Sequence, residues 1–242
     1  MADAVFENRR LAELYDALDP VRDDLDQYLA IVDELGVQSI LDLGCGTGTF
    51  ACLLSQRGLE VIGVDPAAAS LDVARRKSYA DRVRWICGDA ASLPPLQVDL
   101  VTMTGNVAQV FETDEEWSAT LRAVSGALRP GGTLIFEVRD PAREGWNEWN
   151  RQQSLTRINL PNVGAVDSWV ELLDVTLPLV SLRWTFAFQS DGATITSDST
   201  LRFRERTEIL SDLERTGFVV GDIRDAPDRP GREFVFIVER GE

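Results

Sequence analysis

Apolar positions change their spacing several times along this chain, and each change marks a predicted element. Residues 8–18 set Leu11, Leu14, Tyr15 and Leu18 on one face at helical spacing, and residues 21–35 read as a second helix beyond the break at Pro20. Short apolar runs then alternate with helical segments. Ser39–Leu43 reads as a strand, followed by a glycine loop and a helix to about Arg57. Glu60–Val64 is a second strand ending at Asp65-Pro66, residues 67–77 an alanine-rich helix, Val83–Cys87 a third strand and Val98–Met103 a fourth. Asp114–Leu128 is a helix stopped by Pro130-Gly131-Gly132, and Thr133–Val138 is a fifth strand. This alternation predicts a parallel sheet covered on both faces.

After Arg139 the period drops to two. Leu182, Trp184, Phe186 and Phe188 alternate with Arg183, Thr185 and Ala187. Asp191-Gly192 supplies a two-residue hairpin turn, and Ile195, Leu201 and Phe203 return on the other arm. Glu205–Thr216 is a helix ending at Gly217, and Phe218–Ile223 and Glu233–Val238 are the last strands. The expected architecture is α/β: a seven-stranded, mostly parallel sheet with helices on both faces and an antiparallel β insertion after the fifth strand. The expected units are a helical cap (1–36), a core (37–140), the insertion (141–204), and the final helix and last two core strands (205–242).

Composition narrows the function. The 242 residues are 44% hydrophobic and 26% charged, as in a globular protein. No run of apolar residues is long enough to span a membrane, and the first residues carry no apolar signal core, so a cytoplasmic protein is expected. The net charge of −16 would repel nucleic acid, and the short basic clusters Arg9-Arg10 and Arg75-Arg76-Lys77 lie beside acids. A small molecule is the expected partner. Cys45, Cys52 and Cys87 lack metal-ligand spacing and there is no His, so no metal is expected. The missing His also removes Ser-His-Asp and Cys-His chemistry.

The informative segment is Asp42-Leu43-Gly44-Cys45-Gly46-Thr47-Gly48-Thr49, which leaves a strand and opens a helix. Close approach of backbone to a ligand needs residues without Cβ, and Gly44, Gly46 and Gly48 provide them; a tight turn would use the same glycines. A dinucleotide fingerprint needs Gly where this chain has Thr49, and Asp42 would repel a pyrophosphate. No Gly-Lys-Ser/Thr follows. The loop therefore suits a ligand without phosphates. Asp65 is placed to accept both hydroxyls of a ribose, or to cap the helix after Pro66. Asp89, in Cys87-Gly88-Asp89-Ala90, is placed to accept from an adenine amino group, or is a loop acid.

Together, Asp42–Gly48, Asp65, Gly88-Asp89-Ala90, Val98-Asp99-Leu100-Val101 and Leu128-Arg129-Pro130-Gly131-Gly132 resemble class I S-adenosylmethionine-dependent methyltransferases over roughly residues 38–140. The resemblance implies a Rossmann-like sheet with a reversed seventh strand. It implies S-adenosyl-L-methionine over the strand C-termini and in-line methyl transfer to N or O of a small metabolite. Gly44 and Gly46 would lie at the methionine portion, Asp65 at the ribose, and Asp89 and Ala90 at the adenine, with Asp42, Cys45, Pro66, Thr104 and Tyr15 completing the cofactor site. Met103-Thr104-Gly105-Asn106 lacks the Asn/Asp-Pro-Pro-Tyr/Phe of enzymes that methylate exocyclic amines of bases or glutamine, and Pro94-Pro95 lacks the nucleophile of cytosine-C5 enzymes. The chain thus looks like the small-molecule branch, and its insertion resembles the lid of sugar-amine and other small-amine methyltransferases.

Displacement at a sulfonium depends on alignment in a dry pocket more than on a base, which makes the absence of His tolerable. Tyr15, Asn106 and Asp140 are the catalytic candidates. Tyr15 is otherwise a core residue, Asn106 a turn residue and Asp140 a helix cap before Pro141. Glu137, Arg139 and Asp140 end or follow the fifth strand, and Arg139 would clamp an anionic substrate. Trp146 and Trp149, three apart, either line an acceptor pocket or pack the insertion onto the core. Trp85 and Trp117 are expected in the main core, Trp169 and Trp184 in that of the lid. A non-catalytic or regulatory binding module and, less well, an NAD-type dehydrogenase fit the same fold. The assembly is open between monomer and homodimer.

Overall fold

The computed structural model describes residues 2–241. It opens with three short helices, α1 (Ala4–Glu7), α2 (Arg9–Ala12) and α3 (Tyr15–Leu18), followed by α4 (Asp24–Leu35). The periodic stretch 8–18 is therefore not one helix. Asn8 is extended, and its side chain accepts the Arg10 N–H at 3.0 Å, which starts a new turn. The apolar face survives the breaks: Leu11 and Leu14 are fully buried.

Next come β1 (Ser39–Leu43), α5 (Thr49–Gln56), β2 (Glu60–Asp65), α6 (Ala68–Ala74), β3 (Val83–Cys87), β4 (Val98–Met103), α7 (Asp114–Ala127) and β5 (Leu128–Arg139). The insertion contains α8 (Arg151–Ser154), β6 (Thr156–Leu160), β7 (Gly164–Thr176), β8 (Leu179–Phe188) and β9 (Thr194–Arg202). The chain then returns through α9 (Arg206–Arg215), β10 (Phe218–Asp225) and β11 (Glu233–Arg240). The main sheet has the order β10-β11-β5-β4-β1-β2-β3, with β11 antiparallel to both neighbours. The insertion is a separate antiparallel sheet, β6-β7-β8-β9.

Apolar layers cover both faces of the main sheet, which is why every residue of β1 is buried. On one side Trp117 of α7, Phe136 and Phe236 pack together, the two phenylalanine rings stacked at 4.9 Å. On the other, Leu25 and Tyr28 of α4 meet Ile40, Phe50 and Ile135. Thr113 and Glu116 form a capping box that fixes the start of α7.

Some expectations are corrected. Pro130-Gly131-Gly132 ends α7 but lies within β5, whose register against β4 jumps from Val98↔Leu128 to Leu100↔Thr133. Asp191-Gly192 is not a two-residue turn. Phe188 N–H bonds Ala193 O at 2.9 Å, so the loop is 189–192, with Gly192 at φ +71°. Trp117 is buried, whereas Trp85 is half-buried. Trp184 joins the lid cluster, but Trp169 does not; it lies under the Arg151 guanidinium at 4.4 Å.

The insertion is tied down at its return. Buried Arg204 donates to the carbonyls of Ala108, Phe111 and Thr113 at 3.4, 2.8 and 3.2 Å. Arg202 pairs with Asp114 and Glu208 at 2.7 and 2.8 Å. The N-terminal helices bridge the two sheets: Val5, Leu11 and Leu14 pack on Phe186 and Phe188, while Ser70 of α6 donates to Phe6 O at 2.9 Å. No helix among the described residues is long and apolar enough to cross a membrane. Strand order reverses between β1 and β4, which opens a crevice at the strand C-termini.

Candidate active site

The floor of that crevice is the loop from β1 to α5. Gly44 and Cys45 both donate their N–H to Val64 O, at 2.8 and 3.0 Å, which turns the chain sharply over β2. Gly44, Gly46 and Gly48 have φ of +75°, +52° and +76°, a region that side chains disfavour. Their reasons for being glycine differ. A Cβ on Gly44 would strike Val107 at 2.5 Å, and one on Gly48 would strike Trp85 at 2.5 Å and Ala74 at 2.7 Å. A Cβ on Gly46 would meet nothing within 4 Å. Gly44 and Gly48 serve packing; Gly46 faces open space.

Two carboxylates frame the loop. Asp65 Oδ2 accepts Gly46 N–H and Oδ1 accepts Ala67 N–H, each at 2.8 Å. Burial raises its pKa against the pull of those N–H groups. One lone pair on each oxygen is left over. Asp42 is buried; its Oδ1 accepts from Thr102 at 2.9 Å and its Oδ2 has no partner among the described residues. Burial pushes its pKa up to about 7. An orphaned carboxylate oxygen beside an open glycine face fits a cationic, phosphate-free cofactor such as S-adenosylmethionine.

At the end of β3, exposed Asp89 caps the 90–92 turn: Oδ1 accepts from Ala91 and Ser92 at 3.0 and 3.1 Å, and Oδ2 has no hydrogen bond among the described residues. Ala90 is buried beneath it, Pro66 is exposed and Thr104 half-buried. Burial raises the Cys45 thiol, so it stays protonated.

Beyond β4, Asn106 sits at φ +62° with its Oδ1 buried and unpartnered among the described residues. Its N–H and that of Gly105 are held by Glu137 Oε1 at 3.0 and 2.7 Å. Burial, then the nearby Glu233, pushes Glu137 up to about 7. Arg139 is no free anion clamp. Its Nη1 donates to Gln109 at 3.0 Å, its Nε lies 3.7 Å from Glu233, and it stands 5.9 Å from the Trp149 ring. The tryptophans part company: Trp146 is buried edge-on against Phe203 at 4.7 Å, while half-buried Trp149 faces Arg139. Asp140 caps the 141–143 turn, accepting from Ala142 at 3.0 Å with Arg143 at 3.7 Å, so both its oxygens are engaged.

Tyr15 reaches this ensemble from α3. Burial raises its phenol pKa, opposed by the charges of Arg22 and Arg139. Arg22, which the sequence pattern did not single out, is bidentate to Asp24 at 2.9 Å and acts electrostatically on both Tyr15 and Asp42. The cap is fastened to the loop: Thr47 donates to Asp16 at 2.6 Å, and Lys77 pairs with Asp16 at 2.7 Å and donates to Thr49 at 2.6 Å.

Residues 40–132 match the family described as a methyltransferase domain. That domain, its relatives and its structural neighbours support a class I S-adenosylmethionine-dependent methyltransferase. It is 29% identical over 208 residues to the cypemycin N-terminal methyltransferase of a Streptomyces species, spanning 84% of this chain and 83% of that one. The structure of the CcbJ methyltransferase from Streptomyces caelestis superposes with a TM-score of 0.79 at 20% identity, covering all of both chains. The S-adenosylmethionine-bound amino pentose methyltransferase CalS10 from Micromonospora echinaspora does so with 0.67 at 19% identity, covering 99% of this chain and 98% of that one. The fold of this methyltransferase is thus shared with its neighbours well beyond the matched core, insertion included.

The raised carboxyls give the methyltransferase a pH signature in the absence of cofactor. A carboxyl whose pKa rises on folding holds its proton more tightly when folded. The stability that Asp42 and Glu137 contribute is therefore full below the ordinary carboxylate range and is lost as pH climbs from there to about 7, their value in the fold. Urea unfolding without cofactor is expected to give greater stability at pH 5.5 than at pH 8, by on the order of 2 kcal/mol. Asp42→Asn should shrink that difference. Stability that rises over this window, or a variant with the wild-type difference, would contradict the burial of an unpaired Asp42.

Proposed function

We propose that this methyltransferase moves the methyl group of S-adenosylmethionine onto the amino nitrogen of a small acceptor. The observation that carries the reading concerns what the crevice offers. Asn106 Oδ1 is a buried hydrogen-bond acceptor without a partner among the described residues, yet the catalytic candidates around it offer no free general base. Asp140 is engaged in its turn, Tyr15 and Cys45 are held protonated, and the Glu137 carboxylate is turned onto the N–H groups of Gly105 and Asn106. A neutral amine needs no such base. It donates one N–H to Asn106 and keeps its lone pair for the methyl carbon. The names of two similar proteins, an N-terminal and an amino pentose methyltransferase, support the same choice.

The cofactor supplies an electrophilic methyl on a sulfonium and leaves as the neutral thioether. Around it, Gly44, Cys45, Gly46 and Asp42 would face the methionine portion. Asp65 would use its spare lone pairs on the ribose hydroxyls beside Pro66, and Asp89 Oδ2 with Ala90 would meet the adenine. Tyr15 and Thr104 would close the methyl end. Trp149 and Arg139 would wall the acceptor side, with Trp146 supporting the lid from behind. The acidic chain and its three free thiols support a cytoplasmic enzyme with no nucleic-acid partner.

Two measurements test these assignments. By calorimetry, Asp65→Ala should weaken S-adenosylmethionine binding about 100-fold or more, since it removes both the ribose acceptor and the Gly46 brace. Gly46→Val should abolish binding while the chain still folds, as only backbone strain of about 1–2 kcal/mol opposes it. Unchanged affinity in either variant contradicts the cofactor placement. With S-adenosylmethionine as donor and glucosamine, the peptide Gly-Gly-Gly or glucose as acceptor, S-adenosylhomocysteine release is expected with an amine and not with glucose. Turnover of glucose alone would overturn the choice of nitrogen.

A further inference from the structure

Glu137 is only 7% exposed, yet it makes no ion pair among the described residues. The two arginines nearby turn instead to Glu233, which pairs with Arg229 at 2.8 Å and faces Arg139 at 3.7 Å. What Glu137 holds is backbone. Its Oε1 accepts the N–H groups of two successive residues, Gly105 at 2.7 Å and Asn106 at 3.0 Å. Both lie in the left-handed region, at φ +72° and +62°. Asn tolerates that conformation better than other side chains but does not prefer it, and the two bonds to Glu137 hold the turn in it. The result is visible in the Asn106 side chain, whose Oδ1 is buried with no partner among the described residues.

We propose that Glu137 is a positioning residue of the methyl transfer: its carboxylate fixes the Gly105–Asn106 turn and so holds the Asn106 carboxamide oxygen toward the acceptor. The proposal rests on the assignment of Asn106 to the acceptor made above. A carboxylate suits the task because charge-assisted bonds to two N–H groups are stronger than neutral ones. Fixing the turn in advance spares the reaction the cost of ordering it. The charges around Glu137 are Glu233 from β11, Arg229 from the β10–β11 connection and Arg139 on its own strand; burial and Glu233 raise its pKa, while the two N–H groups and Arg139 lower it. The balance leaves the carboxyl poised near neutral pH, so the turn is held most firmly above that range.

Two readouts on the full-length enzyme test this. First, the Gly105 and Asn106 amide signals are followed by NMR from pH 5.5 to 8.5 with S-adenosylhomocysteine bound. In the wild type both should move with one midpoint near neutral pH, and in Glu137→Gln neither should. Second, turnover is measured with whichever probe amine reacts. Glu137→Ala should lower kcat about 30- to 100-fold while changing cofactor affinity less than about threefold. Glu137→Gln, whose amide oxygen still accepts both N–H groups, should recover kcat to within about fivefold and flatten the acid limb of its pH profile. Amides that ignore pH in the wild type overturn the proposal, as does a Glu137→Ala enzyme with kcat within twofold of wild type, or a Gln variant no better than Ala. The amide titration needs no acceptor. If no amine is methylated, the choice of acceptor falls and the positioning role is still decided.

Discussion

The bond from Gly46 N–H to the Asp65 carboxylate organises the cofactor crevice. It ties the most open point of the β1–α5 loop to the end of the neighbouring strand, across a parallel register in which Leu43 stands opposite Val64. With Gly44 and Cys45 also bonded to Val64 O, the loop is pinned by three N–H groups to one strand end. A loop so held presents a bare backbone face without collapsing onto β2. The brace also explains why an acid must end this strand: a buried carboxylate is costly unless backbone donors satisfy it.

Around this fixed floor the cap is joined in two ways. Its apolar side chains Val5, Leu11 and Leu14 are buried against Phe186 and Phe188 of the insertion. Its link to the loop is polar: partly exposed Asp16 and Lys77 meet the buried Thr47 hydroxyl. Partly exposed ion pairs of that kind contribute little each. The contrast with the apolar layers on both faces of the main sheet is functional. A methyltransferase must admit and release its cofactor while keeping the strand ends still, and the polar link between cap and loop is weaker than the apolar layers that hold those strands.

Much of this was legible in the sequence because it depends on local order. The strand-to-helix loop, the acid closing the second strand and the alternation of elements each occupy a few consecutive residues. Local exceptions were missed for local reasons: Asn8 as a cap breaks the first amphipathic stretch, and a loop over 189–192 replaces the tight turn. The acceptor side was less legible because it is assembled from distant segments. Glu233 neutralises Arg139 only because β11 pairs with β5 in a register that sets them opposite each other. Nothing near Arg139 in sequence announces that. Trp146 and Trp149 are spaced as if on one α-helical face, but Trp146 lies in a 3₁₀ turn that ends at Trp149, and one is buried while the other faces Arg139. Arg22 lies beyond Pro20, in a segment whose apolar pattern says nothing about where a charged side chain will reach.

The most direct measurement is a crystal structure of the chain with S-adenosylhomocysteine. The account predicts the ribose hydroxyls on Asp65, the amino-acid portion along the open face of Gly46 beside Asp42, and the sulfur turned toward Asn106. A nucleoside bound instead in the outer groove of Asp19, Cys52 and Tyr79, or a Gly46 face closed by the protein's own side chains, would contradict it.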